Sequence, residues 1–186
     1  GFRHDATKHI SERYWRTLTS KIKRALPERR IYQIGETYGS PDLIASYLGS
    51  GMLDAQFDFN VYDAAVSAFS GAEEVGPASR RLAEKLLPSL QFYGHHNLMG
   101  YISGNQDRSR FISIASGDVS LGEDQKLAGW TRNIPVPREK AYQRLALLHA
   151  FNFAVPGIPV VYYGDEYGLH GGGDPDNRKM MRFDGY

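Results

Sequence analysis

Three short stretches of the chain each set a carboxylate where it could do acid–base or nucleophilic chemistry. In Gly1-Phe2-Arg3-His4-Asp5-Ala6-Thr7-Lys8-His9 an arginine precedes an aspartate by two positions. Alternate residues of a strand project to one face, so Arg3 and Asp5 are expected to meet there. A guanidinium beside a carboxylate keeps it ionised and fixes its orientation, which is what a carboxylate nucleophile needs. In Gln33-Ile34-Gly35-Glu36-Thr37-Tyr38-Gly39 an apolar strand delivers one acid between glycines. Desolvation raises the pKa of a half-buried acid, as a general acid requires. In the third stretch, Met99 to Arg108, strand-like residues give way to polar ones, with Asn105 and Asp107 expected on a common face. Taken singly, each has a plainer explanation: a surface ion pair, a turn, a helix cap.

What positions these carboxylates is an alternation of strand and helix, the signature of βαβ units and a parallel sheet. Gly1 to Ala6 reads as the end of a strand. His9 to Leu26 reads as a helix with Tyr14, Leu18, Ile22 and Leu26 spaced by four. Ile31 to Ile34 is a short strand ending at Gly35-Glu36, and Asp54 to Asn60 alternates as a third. Ser79 to Leu90 is an amphipathic helix, Leu98 to Ser103 a strand, and Arg138 to Val155 a long helix. Ile158 to Tyr163 reads as a last buried strand, and Gly171 to Asn177 as a loop. No glycine-rich phosphate loop follows any strand, which argues against an open dinucleotide-binding sheet. Polar residues sit just past the strand ends instead, where a barrel carries its catalytic rim.

The chain has 186 residues, enough for one sizeable core but fewer than the ~250 of a full (β/α)₈ barrel. Its 22 basic and 21 acidic side chains are interspersed, so it lacks the positive patch that nucleic acid demands. No apolar run approaches the ~20 residues that span a bilayer. There is no cysteine, hence no disulfide or thiolate metal site, and the compartment stays open. Gly1 to Asp5 reads as the interior of a strand, so further chain, with any targeting segment, is expected upstream. His95, His96, His149 and His170 lack metal-like spacing and are expected to be structural.

The three stretches in this order resemble the α-amylase family, glycoside hydrolase family 13, across essentially the whole chain. The resemblance implies an α/β fold: a partial TIM (β/α)₈ barrel, strands four to eight with their helices, residues 1–186 being its C-terminal part. Gly1 to His9 is similar to the family's strand-four motif, which makes Asp5 the nucleophile with Arg3 beside it. Ile34 to Tyr38 resembles the strand-five motif and makes Glu36 the general acid/base. Gly104 to Asp107 resembles the strand-seven motif and makes Asp107 the carboxylate that holds sugar hydroxyls, with Asn105 and Gln106 beside it. Val155 to Glu166 is similar to strand eight. Asp174 and Arg178 match the pair that grips sugar on the nonreducing side, and Lys8 and His9 match positions on the leaving-group side. Tyr38 and Trp130 are candidate sugar-stacking platforms.

The implied function is retaining hydrolysis of α-glucosidic bonds in starch-like α-glucans and maltooligosaccharides through a covalent glycosyl-enzyme. The alternatives are an α-glucosyltransferase of the same family and a noncatalytic interaction module. Retention of Arg3, Asp5, Glu36 and Asp107 argues against the last. Two departures stand out. The family usually has histidine where this chain has Gln106, an amide that cannot become a cation. The strand-three motif would lie upstream of residue 1. This segment alone is therefore expected to be a poor catalyst with exposed strand edges that favour self-association. The carbonyl of His9 could serve a structural calcium in the full-length parent, but the usual partner ligands are not in this sequence and no metal or cofactor is expected. A polysaccharide-degrading parent is expected to be secreted or periplasmic.

Overall fold

The computed structural model describes residues 1–49, 51–94 and 96–184. Five short strands alternate with helices along the chain. They are β1 (Phe2–His4), β2 (Gln33–Gly35), β3 (Ala55–Gln56), β4 (Gly100–Ile102) and β5 (Ile158–Val160). Between them lie α1 (Glu12–Ala25), α2 (Pro41–Ser46), α3 (Phe59–Ser70), α4 (Val75–Tyr93), α5 (Phe111–Ser116), α6 (Gln125–Thr131) and α7 (Glu139–Ala154). The result is an α/β fold of parallel strands alternating with helices. Its contacts divide it into two compact units. The first comprises Gly1–Val61, Lys85–Tyr101 and Pro156–Ile158, and the second Tyr62–Glu84, Ile102–Val155 and Pro159–Tyr186.

In the first unit β1, β2 and β3 pair in that order, all parallel, with Arg3 opposite Ile34 and Ile34 opposite Ala55. A parallel bridge from Phe57 to Gly100 continues the ladder. Trp15, Tyr47, Met52 and Leu53 form the cluster under α1. The buried face of α1 is only in part the one its spacing predicts: Leu18 packs on that cluster and Ile22 is half-buried, but the outer two positions are not. Tyr14 is 51% and Leu26 37% exposed, whereas Trp15 and Thr19 are buried. Trp15 can go inside because its Nε1 donates to Thr7 O at 3.1 Å, and Thr19 because its hydroxyl donates to Met52 O at 3.2 Å.

The third strand is also shorter than its alternation predicts: two residues, with α3 beginning at Phe59 in place of further strand. Asp58 turns the chain. Its Oδ1 accepts from Val61 N at 3.0 Å and its Oδ2 accepts from the Ser89 hydroxyl, so the buried carboxylate caps the helix.

β4 and β5 pair through Ile158 N to Met99 O and Ser103 N to Val160 O, bonds that climb both strands in the same direction. β5 is half-buried, not fully buried, and ends at Val160. In the second unit α5 packs on α7, and Phe111, Ile112, Leu145 and Leu148 are buried there. α6 lies backbone to backbone on the loop before its neighbour Asp174. A Cβ at Gly129 would come within 2.8 Å of Gly173 O, and Gly173 N donates to Gln125 O at 2.7 Å.

Candidate active site

In the first unit the chain leaves β1 and β2 side by side. The Glu36 N–H is shared between His4 O at 2.9 Å and Thr7 Oγ1 at 3.0 Å, and Thr7 N donates to Glu36 O at 2.9 Å. The Thr7 hydroxyl also donates to His4 O at 3.1 Å, so one fully buried threonine ties the two strand ends. Gly35 makes this closeness practicable. A Cβ there would stand 2.6 Å from Thr7 Oγ1 and 2.7 Å from Leu53 Cδ1. Before Thr7 the backbone takes a left-handed turn at Ala6, φ 45°, unusual for a residue with a side chain.

That turn brings the two acids onto one guanidinium. Arg3 Nη1 donates to Asp5 Oδ1 at 2.6 Å, and Arg3 Nη2 lies 2.6 Å from Glu36 Oε2. Ala6 N donates to Glu36 Oε2 at 3.3 Å. The side chain of Asp5 is 71% exposed and that of Glu36 only 13%. Burial pushes the Glu36 carboxyl above the ordinary range, with Arg3 pulling the other way. Asp5 is held below it, first by a hydrogen bond from Glu36 and then by Arg3. The two pKa values are driven in opposite directions, Asp5 toward its ionised form and Glu36 toward its protonated form.

Lys8 and His9 follow in a single 3₁₀ turn. Lys8 Nζ donates to Tyr38 O at 2.8 Å, fixing the loop after Glu36, and His9 is exposed. Tyr38 is 51% exposed and stands edge-on to Phe59 with ring centroids 5.4 Å apart.

The second unit gathers the remaining candidates. Asn105 to Asp107 form a turn, not a strand continuation: Asn105 Oδ1 accepts from Asp107 N at 3.0 Å, which replaces the expected shared strand face. Gln106 Nε2 lies 3.4 Å from Asp107 Oδ2. Arg178 reaches Asp107 Oδ1 at 3.4 Å through Nη2, and its Nε is 3.2 Å from Asp174 Oδ1 and 3.1 Å from Gln106 O. Asn105, Gln106, Asp107, Asp174 and Arg178 therefore form one polar network, to which Lys126 on α6 adds an ion pair with Asp174 at 3.6 Å. Trp130, on the same helix, is 67% exposed.

Sequence reasoning missed what supports this network. Arg110 and Asp165 are both buried and pair at 2.8 Å. Arg110 also donates to Tyr163 O at 2.6 Å and Asn177 O at 2.8 Å, and lies over the Tyr162 ring at 4.1 Å. Ser103 donates to the other Asp165 oxygen at 2.5 Å. Asn177 in turn donates to Gln106 O and Arg108 O, each at 2.8 Å. Nothing local in the sequence marks Arg110 or Asp165 as partners. Among the described residues no three histidine or acidic side chains converge as metal ligands; His95 lies outside those residues.

Acidic side chains held by arginines, with two of them just beyond the C-terminal ends of paired parallel strands, define an α/β domain of the barrel-enzyme class. Residues 2–183 match the α-amylase catalytic domain, and the chain belongs to that family. It is 28% identical over 186 residues to a cyclomaltodextrinase of Geobacillus thermopakistaniensis (strain MAS1), covering 99% of this chain and 26% of that protein. It is 29% identical over 187 residues to α-amylase 1 of Lipomyces kononenkoae, covering 100% of this chain and 24% of that one. The crystal structure of the Geobacillus thermoleovorans α-amylase with acarbose superimposes with a TM-score of 0.76 at 28% identity, over 98% of this chain and 36% of that one. The chain thus spans about a quarter of the length of these relatives by sequence.

Proposed function

We propose that this chain supplies the nucleophile and the general acid/base of a retaining glycoside hydrolase acting on α-glucosidic bonds of starch-like glucans and maltooligosaccharides. β1 to β5 then correspond to barrel strands four to eight of the whole enzyme. Glu36 protonates the glycosidic oxygen as it leaves, while Asp5 attacks the anomeric carbon and forms a glycosyl ester. Glu36, now ionised, takes a proton from water, which attacks the same carbon and releases Asp5. On the family resemblance, Asp107 and Asn105 hold sugar hydroxyls, and Asp174 with Arg178 grips sugar on the nonreducing side. Lys8 and His9 flank the leaving group.

The observation that carries this reading is the paired environment of the two acids. Asp5 is exposed, on Arg3 and shifted toward its ionised form, and Glu36 is half-buried and shifted toward its protonated form. The family, whose named relatives include amylases and cyclomaltodextrinases, supports the substrate class. Proton NMR of maltooligosaccharide cleavage by the full-length protein tests it. The first product formed should be the α-anomer. A β-anomer formed first, or an Asp5→Asn variant retaining wild-type turnover, would overturn the assignment.

A further inference from the structure

The strand that leads to Glu36 at its C-terminal end, β2, opens at its other end onto a cavity of about 570 Å³. It lies within the first unit, between the last turn of α1, the turn that follows, and the residues just before β2, β3 and β4. Leu26, Tyr32 and Leu98 give it an apolar wall. Tyr32 donates its hydroxyl to Leu98 O at 2.6 Å, and burial pushes its pKa up to about 12, so the phenol stays neutral and committed.

Lys23, Arg29 and Arg30 stand around this wall, and none makes an ion pair among the described residues. Among the described residues the one carboxylate in the lining is Asp54, whose Oδ2 accepts from Gln33 N at 2.8 Å. Three cations against one anion favour a ligand carrying more than one negative charge, and arginine forks match phosphate oxygens. An oriented carboxylate beside an apolar wall suits a ligand that also carries hydroxyl groups and a ring face.

We propose that this cavity binds a phosphorylated sugar, its phosphate on Lys23, Arg29 and Arg30 and its hydroxyls on Asp54. Such a ligand would occupy the end of β2 opposite Glu36 and leave both acids free.

Calorimetric titration of the full-length protein at fixed ionic strength tests this, with glucose 6-phosphate and inorganic phosphate as probes. Glucose 6-phosphate should bind saturably and more tightly than inorganic phosphate. Arg29→Gln with Arg30→Gln should weaken it about tenfold, the loss expected when charge-assisted bonds are removed. Asp54→Asn should narrow the gap between the two probes. If the double variant does not fold, Lys23→Gln on the exposed face of α1 should give a smaller loss of the same kind. Absence of saturable binding, or binding that none of these variants alters, overturns the site. Equal affinity for both probes overturns the sugar part of the ligand.

Discussion

Arg3 Nη2 lies 2.6 Å from Glu36 Oε2, on the same guanidinium that holds Asp5. Arginine at this position therefore acts on both acids at once. It lowers Asp5, and it opposes the burial that raises Glu36. The gap between the two carboxyls is set by burial and by their own hydrogen bond as much as by the cation.

Replacing Arg3 by glutamine should move both limbs of the pH–activity profile the same way. Activity needs Asp5 ionised, which sets the acid limb, and Glu36 protonated, which sets the alkaline limb. Loss of the cation raises both pKa values, so both limbs should shift upward, as apparent values of the pair. Turnover should fall about 10²-fold because Asp5 loses the guanidinium that positions it, and Glu36 loses its ion pair while keeping the Ala6 N–H. An Arg3→Gln enzyme with an unmoved profile would exclude this role.

Gln106→His should keep activity and change its pH dependence. Gln106 Nε2 lies 3.4 Å from Asp107 Oδ2, and an imidazole there would add a group titrating at about pH 6.5 or above, since a carboxylate stabilises its cation. The profile of the variant should gain an ionisation in that region. A superimposable pair of profiles would mean that position 106 does not act on the reacting sugar.

Asp165→Asn should destabilise the folded protein by about 3–5 kcal/mol, the cost of leaving a buried charge unpaired. Arg110 would keep its backbone acceptors, Tyr163 and Asn177, but lose its only anionic partner among the described residues. Urea unfolding is the measurement. The double variant Arg110→Met with Asp165→Leu should cost less than the single change. A single-variant loss under about 1 kcal/mol would show that the pair contributes little.

Asp58→Ala should cost about 1–2 kcal/mol through the lost cap of α3, and Asp58→Asn much less, because an amide oxygen can still accept from Val61 N. Thermal unfolding of the two variants side by side decides it. Equal losses would locate the effect of Asp58 in its charge and not in the cap.

The acids were legible because their surroundings are local in sequence. Arg3 and Asp5 sit two residues apart, and an apolar strand visibly delivers Glu36 to its end. What could not be read is whatever the chain assembles from distant segments. The second contact of Arg3, with Glu36, depends on the β1–β2 register and the left-handed turn at Ala6. Arg110 and Asp165 meet only in three dimensions. The spacing of α1 identifies Leu18 and Ile22 on its inward side but not the exposure of Tyr14 and Leu26 at its ends. Trp15 and Thr19, each with a polar atom, are buried by finding backbone acceptors on other segments. For Asn105 and Asp107, strand alternation was the wrong geometry; a side-chain-to-backbone turn brings them together.

The tight fit at Gly35 constrains how this protein can drift. Any side chain at that position would collide with Thr7, Leu53 and Gln56, which belong to three separate stretches of the chain. No single substitution elsewhere makes room, so a lineage would have to change several positions together, with Thr7 already committed to both strand ends. The peptide that aims Glu36 is thus closed to stepwise change. An exposed position such as Trp130, 67% exposed on α6, meets no comparable crowding. New substrate preferences should therefore accumulate at such exposed sites while Gly35-Glu36 passes unchanged between descendants. A deep mutational scan of the full-length protein would display this as a near-empty column at 35 beside a permissive one at 130.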